Sequence, residues 1–130
     1  MSTRKMKRAQ GLVEFSLLIP LFLFIIFVFI DLSRGIATYS QLSNSVREGT
    51  RYGIVHNFSE TEFRDIVYQY SPSLDHSQMT VTSTVVDNKL TITASYLFKP
   101  LTPGMQLLIG GSGGIPMNVK STALISPLYQ

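Results

Sequence analysis

The chain has 130 residues, of which 45% are hydrophobic and only 15% are charged, with a formal net charge of +3. This composition excludes a strongly charged disordered chain. It also argues against a nucleic-acid binder, which would need a broad basic face. Because the sequence contains no cysteine, disulfides, thiolate metal sites and a cysteine nucleophile are excluded as well.

The basic excess lies in a short N-terminal leader, residues 1–9. Four of the eleven Lys and Arg residues are Arg4, Lys5, Lys7 and Arg8, and the rest of the chain has seven basic residues against eight acidic ones. The folded part of the protein is therefore close to neutral, and the leader carries the positive charge.

Residues 11–30 form a predominantly apolar stretch with one charge, Glu14. As a helix rising about 1.5 Å per residue, it crosses about 30 Å, the thickness of one hydrocarbon core. Basic residues precede the stretch, and their preference for the cytoplasmic side places the N-terminus in the cytoplasm. We therefore expect a single-pass protein with the transmembrane half of a helix over residues 10–30.

Helical periodicity continues over residues 31–56, where apolar side chains recur at steps of three and four. We expect one helix over about residues 12–55, about 65 Å long. At Pro20 we expect a kink and no break, because a membrane segment can re-satisfy the freed carbonyl. The expected apolar face consists of Leu32, Ile36, Tyr39, Leu42, Val46 and Gly53, and the polar face of Arg34, Thr38, Gln41, Ser45 and Glu48.

Three glycines in this outer half, Gly35, Gly49 and Gly53, have two interpretations. Each lowers helix propensity by about 1 kcal/mol relative to alanine. Small residues also allow another backbone or side chain to pack closely. Both interpretations stay open at the level of sequence.

Residues 57–130 indicate a small extracytoplasmic α+β domain. Ser59 and Glu62 have the spacing of a capping box before a short amphipathic helix that Ser71-Pro72 ends. A β-hairpin with a turn at Asp87-Asn88 follows, then a loop, a flexible glycine-rich link and a last strand. Because so small a unit buries little surface alone, we expect the outer half of the long helix to complete its core. The predicted strands are residues 80–86, 90–98 and 117–126, and the loop and link are residues 100–104 and 110–114.

The position of Glu14 is costly unless the carboxylate is paired, at about 2.5–3.5 kcal/mol at a helix centre and less near an interface. A basic leader, a small residue and an apolar helix with an early Glu resemble the start of a type IV prepilin. In that pattern Glu is the fifth mature residue, which puts the mature start at Gln10 and the cut after Ala9, where glycine is usual. A new α-amino group at Gln10 of the same or a neighbouring subunit would pair with Glu14 and register the helices. Alternatively, Glu14 lies at the headgroup boundary and reaches water.

Three segments carry a closer resemblance: residues 8–20 (RAQGLVEFSLLIP), 30–34 (IDLSR) and 46–53 (VREGTRYG). Together they resemble the TadE-like family, and residues 96–103 before the glycine-rich patch are similar to the family's tail. The family comprises pseudopilins or minor pilins of the tight-adherence (Tad) secretion and pilus system. The resemblance implies a pilin-like fold in which the long helix carries a short helix and a small antiparallel sheet.

The resemblance also implies partners and a location. A prepilin peptidase would cut between Ala9 and Gln10, with Leu12, Val13 and Phe15 as the recognition segment beside the cut. Other pilins or pseudopilins, membrane platform proteins and the lipid bilayer are the remaining expected partners. The protein would reside in the cytoplasmic membrane, with its C-terminal domain outside and the extracellular pilus as a further location.

Charged residues on the outer half have plain and functional interpretations. Arg47 and Arg51 share a helix face with Glu48 nearby, and they form either a solvated surface or a contact to the sheet or a neighbouring pilin. Asp31 and Arg34 lie where the outer membrane boundary is expected, and we interpret them as interfacial anchors.

We expect no catalytic function, no cofactor and no metal site. The two histidines, His56 and His76, lie twenty residues apart without metal-ligand spacing. Asp75-His76 lacks a nucleophile context, and the glycine-rich patch lacks the features of a phosphate loop. An uncleaved, signal-anchored binding module is the main alternative to a pilin. A signal peptide cut after Ala37, which would release a chain starting at Thr38, is a further route.

Overall fold

The computed structural model describes residues 3–56, 59–111 and 113–125, with side chains from Gln10 onward. Helix α1 covers Thr3–Val55, 53 residues, or about 80 Å. It begins nine residues earlier than predicted, because the Lys and Arg residues of the leader are good helix formers and continue the helix. As expected, the helix continues through Pro20 without a break.

Helix α2 covers Glu60–Gln69 and is capped as the sequence predicts. The Glu62 carboxylate accepts hydrogen bonds from the backbone N–H of Ser59 at 2.7 Å and from its hydroxyl at 3.1 Å. At the other end the Ser71 hydroxyl donates to the Val67 carbonyl at 2.7 Å. The buried face of α2 is formed by Phe63 and Val67.

Three antiparallel strands in the order β1-β2-β3 form the sheet. A short 3₁₀ turn precedes β1, and the predicted turn residues Asp87 and Asn88 have φ angles of 50° and 58°. Left-handed φ at both positions of a two-residue turn matches the right-handed twist of a hairpin. The α+β fold class is thus confirmed. The strands are β1 at Met79–Val86, β2 at Lys89–Phe98 and β3 at Ile115–Leu124.

Strand β2 runs along α1 in the opposite direction. Near the end of α1, Leu90 and Phe63 enclose Gly53, and Phe98 Cε1 lies 3.6 Å from a Cβ built at Gly35. Residues 35–53 of α1 span about 27 Å and residues 90–98 of β2 about 26 Å, so the two elements are matched in length. The turn between β1 and β2 therefore lies far from the apolar half of α1, and the end of β2 lies close to it.

The outer half of α1 supplies one wall of the core, as expected. Leu42 and Val46 are fully buried, whereas Ile36 and Tyr39 of the predicted apolar face are exposed. Ser45, predicted on the polar face, is buried because its hydroxyl donates to the Leu42 carbonyl one turn earlier at 2.9 Å. The core consists of Leu42, Val46, Phe63, Val67, Leu74, Met79, Val81, Leu90, Ile92, Ala94 and Val119.

The predicted loop and glycine-rich link contain a helix that the sequence analysis missed, α3 at Pro103–Leu108. Gly110 has a φ of 82°, and its N–H donates to the Leu107 carbonyl at 3.3 Å. The N–H of Gly111 donates to the Gln106 carbonyl at 2.9 Å. These two bonds form a Schellman cap, so Gly110 and Gly111 end a helix and are not a flexible link.

The structure decides between the two interpretations of the glycines. A Cβ at Gly53 would overlap Leu90 and Phe63, whereas a Cβ at Gly35 meets only ordinary contacts of 3.6 to 3.8 Å. We expect Gly53→Ala to destabilise the fold by about 1–3 kcal/mol through overpacking. Gly35→Ala, the matched control, is expected to be neutral or stabilising because helix propensity rises. Urea-dependent proteolysis of the full chain in detergent micelles measures both, and equal stabilities would contradict the close approach at Gly53.

Candidate assembly site

The first half of α1 lies outside the folded core. Its most apolar window of 18 residues has a mean hydropathy of 2.8 and is 0% buried. By length and composition it can cross a membrane, so the structure is compatible with the single-pass anchor expected from sequence. An exposed apolar surface of this size marks an interaction with lipid or with other apolar surfaces.

The structure brings two of the predicted site residues together near the start of this surface. Gln10 and Glu14 are one turn apart, and the Gln10 side-chain Nε2 donates to Glu14 Oε1 at 3.2 Å. The carboxylate thus reaches back to the level of residue 10, which is where cleavage would create an α-amino group. An α-amino group at residue 10 would therefore be within reach of the Glu14 carboxylate.

The remaining predicted site residues surround this pair. Leu12, Val13 and Phe15 are exposed on α1, with Leu12 and Phe15 on adjacent faces and Val13 on another. The expected scissile bond after Ala9 lies within α1, and the Ala9 side chain lies outside the described side chains. The predicted segment is therefore exposed and apolar on the faces around Glu14.

Asp31 lies at the point where the exposed half of α1 meets the C-terminal body, that is, residues 59–125. Its side chain is 0% exposed, and its carboxylate accepts hydrogen bonds from the N–H of Leu101 at 3.1 Å and of Thr102 at 2.9 Å. The Thr102 hydroxyl donates to the same carboxylate. Asp31 therefore holds the segment that starts α3 against α1.

Opposing effects act on the ionisation of Asp31. Burial by itself raises the pKa of this carboxyl, but the bonds from the Thr102 hydroxyl, the Thr102 and Leu101 N–H groups and Arg34 outweigh it and lower the pKa. Arg34 Nη1 lies 3.2 Å from Asp31 Oδ1, and its guanidinium lies 5.8 Å from the Phe98 ring centroid. The ionised form is the one that holds the segment.

Asp31 thus has a role that the sequence analysis did not predict, the contact with the segment before α3. Its partners lie 70 and 71 positions further along the chain, a separation that no local spacing rule addresses. The sequence does contain half of the signal, because Thr102 followed by Pro103 is an N-cap followed by proline at the first helical position. Arg34 remains half-exposed, which is consistent with a role at the boundary.

An apolar groove of about 290 Å³ lies beside the Asp31 contact, where α1, β2, β3 and α3 meet. The groove is open, and three of its α1 residues, Leu32, Ile36 and Tyr39, belong to the exposed apolar surface of α1. The groove is lined by Asp31, Leu32, Gly35, Ile36, Tyr39, Phe98, Met105, Ile115 and Met117.

Arg51 is exposed on the outer half of α1, 3.8 Å from Glu48, which matches the solvated interpretation within this chain. A loose, exposed pair of this kind contributes little to stability.

Asp75 and His76 have contacts in the 3₁₀ turn. The Asp75 carboxylate accepts from the Ser77 N–H at 3.0 Å, and His76 Nε2 lies 3.0 Å from the Ser71 carbonyl oxygen. The His76 ring also stacks on Tyr68 with centroids 4.3 Å apart. These contacts assign both side chains a structural role in shaping the approach to β1.

Comparison with known proteins gives one match. Residues 9–51 match the model of the TadE-like protein family, which confirms over that stretch the resemblance drawn from the sequence. The matched stretch begins at the expected cleavage site and includes the exposed half of α1, Asp31 and the two core residues Leu42 and Val46. No curated protein and no solved structure matches the chain.

Proposed function

We propose that this chain, which is TadE-like over residues 9–51, is a minor pilin or pseudopilin that helps to assemble or prime a Tad-type, type IV-like pilus. The observation that carries the proposal is the exposed apolar half of α1 with Glu14 near its start, within the stretch that matches the family. The protein acts by packing its helix against other subunits, and no catalysis is part of this role.

Before assembly, the chain resides in the cytoplasmic membrane with its N-terminus in the cytoplasm. Residues 10–30 are surrounded by lipid, and the basic leader stays on the cytoplasmic side. The C-terminal body lies outside the cytoplasm. Lipid covers the apolar surface until neighbouring subunits replace it.

A prepilin peptidase then removes residues 1–9, with Leu12, Val13 and Phe15 as the segment it recognises. The cut between Ala9 and Gln10 exposes an α-amino group at residue 10. The reach of the Glu14 carboxylate to the level of residue 10 supports pairing with that amine on the same or a neighbouring subunit. Membrane platform proteins and other pilins complete the assembly.

Removal of the whole anchor by signal peptidase fits the structure poorly. A cut after Ala37 would separate Asp31 and Gly35 from the C-terminal body that they contact. It would leave the Leu101 and Thr102 N–H groups without their acceptor and uncover Phe98. The buried position of Asp31 thus supports a chain that keeps residues 31–37.

The intact mass and N-terminal sequence of the protein from native membranes test the proposal. A chain that begins at Gln10 is expected, and Ala9→Gly, which restores the usual glycine, is expected to be cut at the same bond. Ala9→Leu serves as the blocked control because the residue before the cut must be small in the family pattern. A chain that begins at Thr38 would contradict the pilin mechanism. An uncleaved wild-type chain would favour the signal-anchored binding module.

A further inference from the structure

The apolar side chains around α3 are more exposed than is usual for a segment that faces water. Leu101 is 74% exposed and Leu107 81%, and Leu108 and Ile109 beside them are exposed as well. Patches of this kind on the outside of a body mark a contact with an apolar partner. Their position along α1 identifies which partner is available.

Helix α3 lies alongside the half of α1 that spans the membrane. Gly104 approaches the Phe24 ring so closely that a Cβ at position 104 would overlap it. Phe24 precedes Asp31 by seven residues, which is about 10 Å along the helix toward the cytoplasmic side. Side chains on a helix tilt toward its N-terminus, so the Phe24 ring lies no higher than its own backbone. Gly104 is therefore below the level at which the apolar stretch ends.

Apart from the Asp31 carboxylate, which is buried and hydrogen-bonded, charged residues flank this region. Residues 100–119 contain no charge, while Lys99 before them is exposed and Arg34 lies one turn above Asp31. Two cations at the outer end of the apolar surface are in the place where phosphate headgroups would be, and long basic side chains extend readily to that level. The distribution of charge thus matches a bilayer surface.

Several backbone groups at both ends of α3 form hydrogen bonds within the chain, which lowers the cost of placing this segment next to hydrocarbon. Asp31 accepts from the two N–H groups before α3, and Gly110 and Gly111 donate to the carbonyls of its last turn. The Gln106 side chain, the polar group of α3, donates to the Pro100 carbonyl at 3.1 Å. The exposed side chains of α3 are those of Pro103, Leu107 and Leu108, which are apolar.

We propose that α3 is a second membrane contact, with Leu101, Leu107 and Leu108 inserted into the hydrocarbon of the outer leaflet beside the spanning helix. This inference rests on the membrane anchoring in the proposed function. A depth of about 10 Å below the outer end of the span is that of an interfacial helix. The bilayer is the occupant because the α3 surface continues the surface that lipid already covers. Asp31 then fixes how deep the C-terminal body sits on the membrane.

The absence of cysteine from the chain makes the test direct. The full-length protein carrying Leu107→Cys is labelled with an environment-sensitive fluorophore and reconstituted in phosphatidylethanolamine and phosphatidylglycerol vesicles. Phe22→Cys reports the spanning helix. Val86→Cys, an exposed apolar site beside the hairpin turn, is the matched control. Near this turn Leu90 packs on Gly53, which lies about 33 Å further along α1 than Asp31.

Nitroxides on the lipid acyl chains are expected to quench the label at position 107 several-fold more than at position 86, with a blue-shifted emission. Quenching at position 22 but not at 107 would overturn the second contact and leave the anchor intact. Quenching at neither position would overturn the anchor itself. Shielding at 107 that disappears when the protein is diluted in lipid would identify a neighbouring subunit as the occupant and overturn the proposal.

Discussion

Replacing Asp31 with alanine is expected to release α3 from α1 and to loosen the lower end of the C-terminal body. The carboxylate accepts from the Leu101 N–H and from both the N–H and the hydroxyl of Thr102. Each donor left buried without a partner costs about 1–3 kcal/mol. The total loss cannot exceed the free energy of opening the segment, because opening lets water satisfy all three donors.

Amide hydrogen exchange of the full chain in micelles measures this opening. For residues 101–111 we expect exchange to accelerate by about tenfold or more, since about 1.4 kcal/mol corresponds to a factor of ten. Amide exchange in the part of β2 that precedes Phe98 is expected to change little. Leu90 and Ile92 hold that part of the strand against the C-terminal end of α1. Unchanged exchange in the α3 segment would contradict the role of Asp31.

Glu48→Ala is the matched control on the same helix. Glu48 is also acidic, but it is partly exposed and its partner Arg51 is exposed and 3.8 Å away. Such pairs contribute about 0.2–1 kcal/mol or nothing measurable. The comparison separates the loss of an acidic side chain from the loss of the contact to α3.

The same contact predicts a dependence on pH with a definite sign. The pKa of Asp31 is lowered in the folded chain, despite the opposing effect of burial. A lowered pKa contributes stability at pH values above the ordinary aspartate range near about 3.9. That contribution is lost as pH falls through the lowered pKa. Acceleration of α3 exchange in the wild type is therefore expected below about pH 4, and Asp31→Ala should show none of it.

The long-range regularities of this fold were predictable because they repeat. Each of these elements is indicated by many residues at once. They are the apolar stretch long enough to span a bilayer, the periodic spacing after it and the alternation over residues 90–98. The turn at Asp87-Asn88 and the capping residues Ser59 and Glu62 are local chemistry, in which a few neighbouring residues determine the geometry. Apart from the earlier start of α1, these elements appear in the structure close to their predicted bounds.

The parts that were missed depend on single residues or distant pairs. Helix α3 has six residues, too few for periodicity, and only Pro103 and Gly110 at its ends could have indicated it. The contact of Asp31 with Thr102 joins residues 71 positions apart. Ser45 and Thr50 are buried because each hydroxyl bonds to a carbonyl of its own helix, which makes a polar residue compatible with the core. A pattern of polar and apolar residues does not show that a hydroxyl is hydrogen-bonded within its own helix.

Replacing Glu14 with glutamine is expected to leave the protein in the membrane and to reduce its entry into pili by about tenfold or more. An ionised carboxylate in the apolar half of α1 costs up to about 2.5–3.5 kcal/mol, less near the interface, and glutamine lowers that cost. The substitution therefore stabilises the membrane-bound monomer, while the assembled state loses the proposed ion pair with the amine at Gln10. Both changes favour the membrane over the filament, and about 1.4 kcal/mol corresponds to a factor of ten.

The measurement is the amount of the chain in sheared pili relative to membranes. Glu14→Asp keeps the charge and should retain part of the incorporation, and Glu48→Gln removes an acid that lies outside the apolar half. Normal incorporation of Glu14→Gln would contradict pairing and favour a carboxylate that merely reaches water.

A double-mutant cycle separates pairing from any other role of the carboxylate. Ala9→Leu blocks cleavage, so residue 10 has no free amine for Glu14 to pair with. If pairing is the role of Glu14, Glu14→Gln reduces incorporation in the cleavable chain and has little further effect in the Ala9→Leu chain. If the two losses multiply, the carboxylate acts independently of the new N-terminus. The Gln10–Glu14 contact across one helical turn would then be structural only.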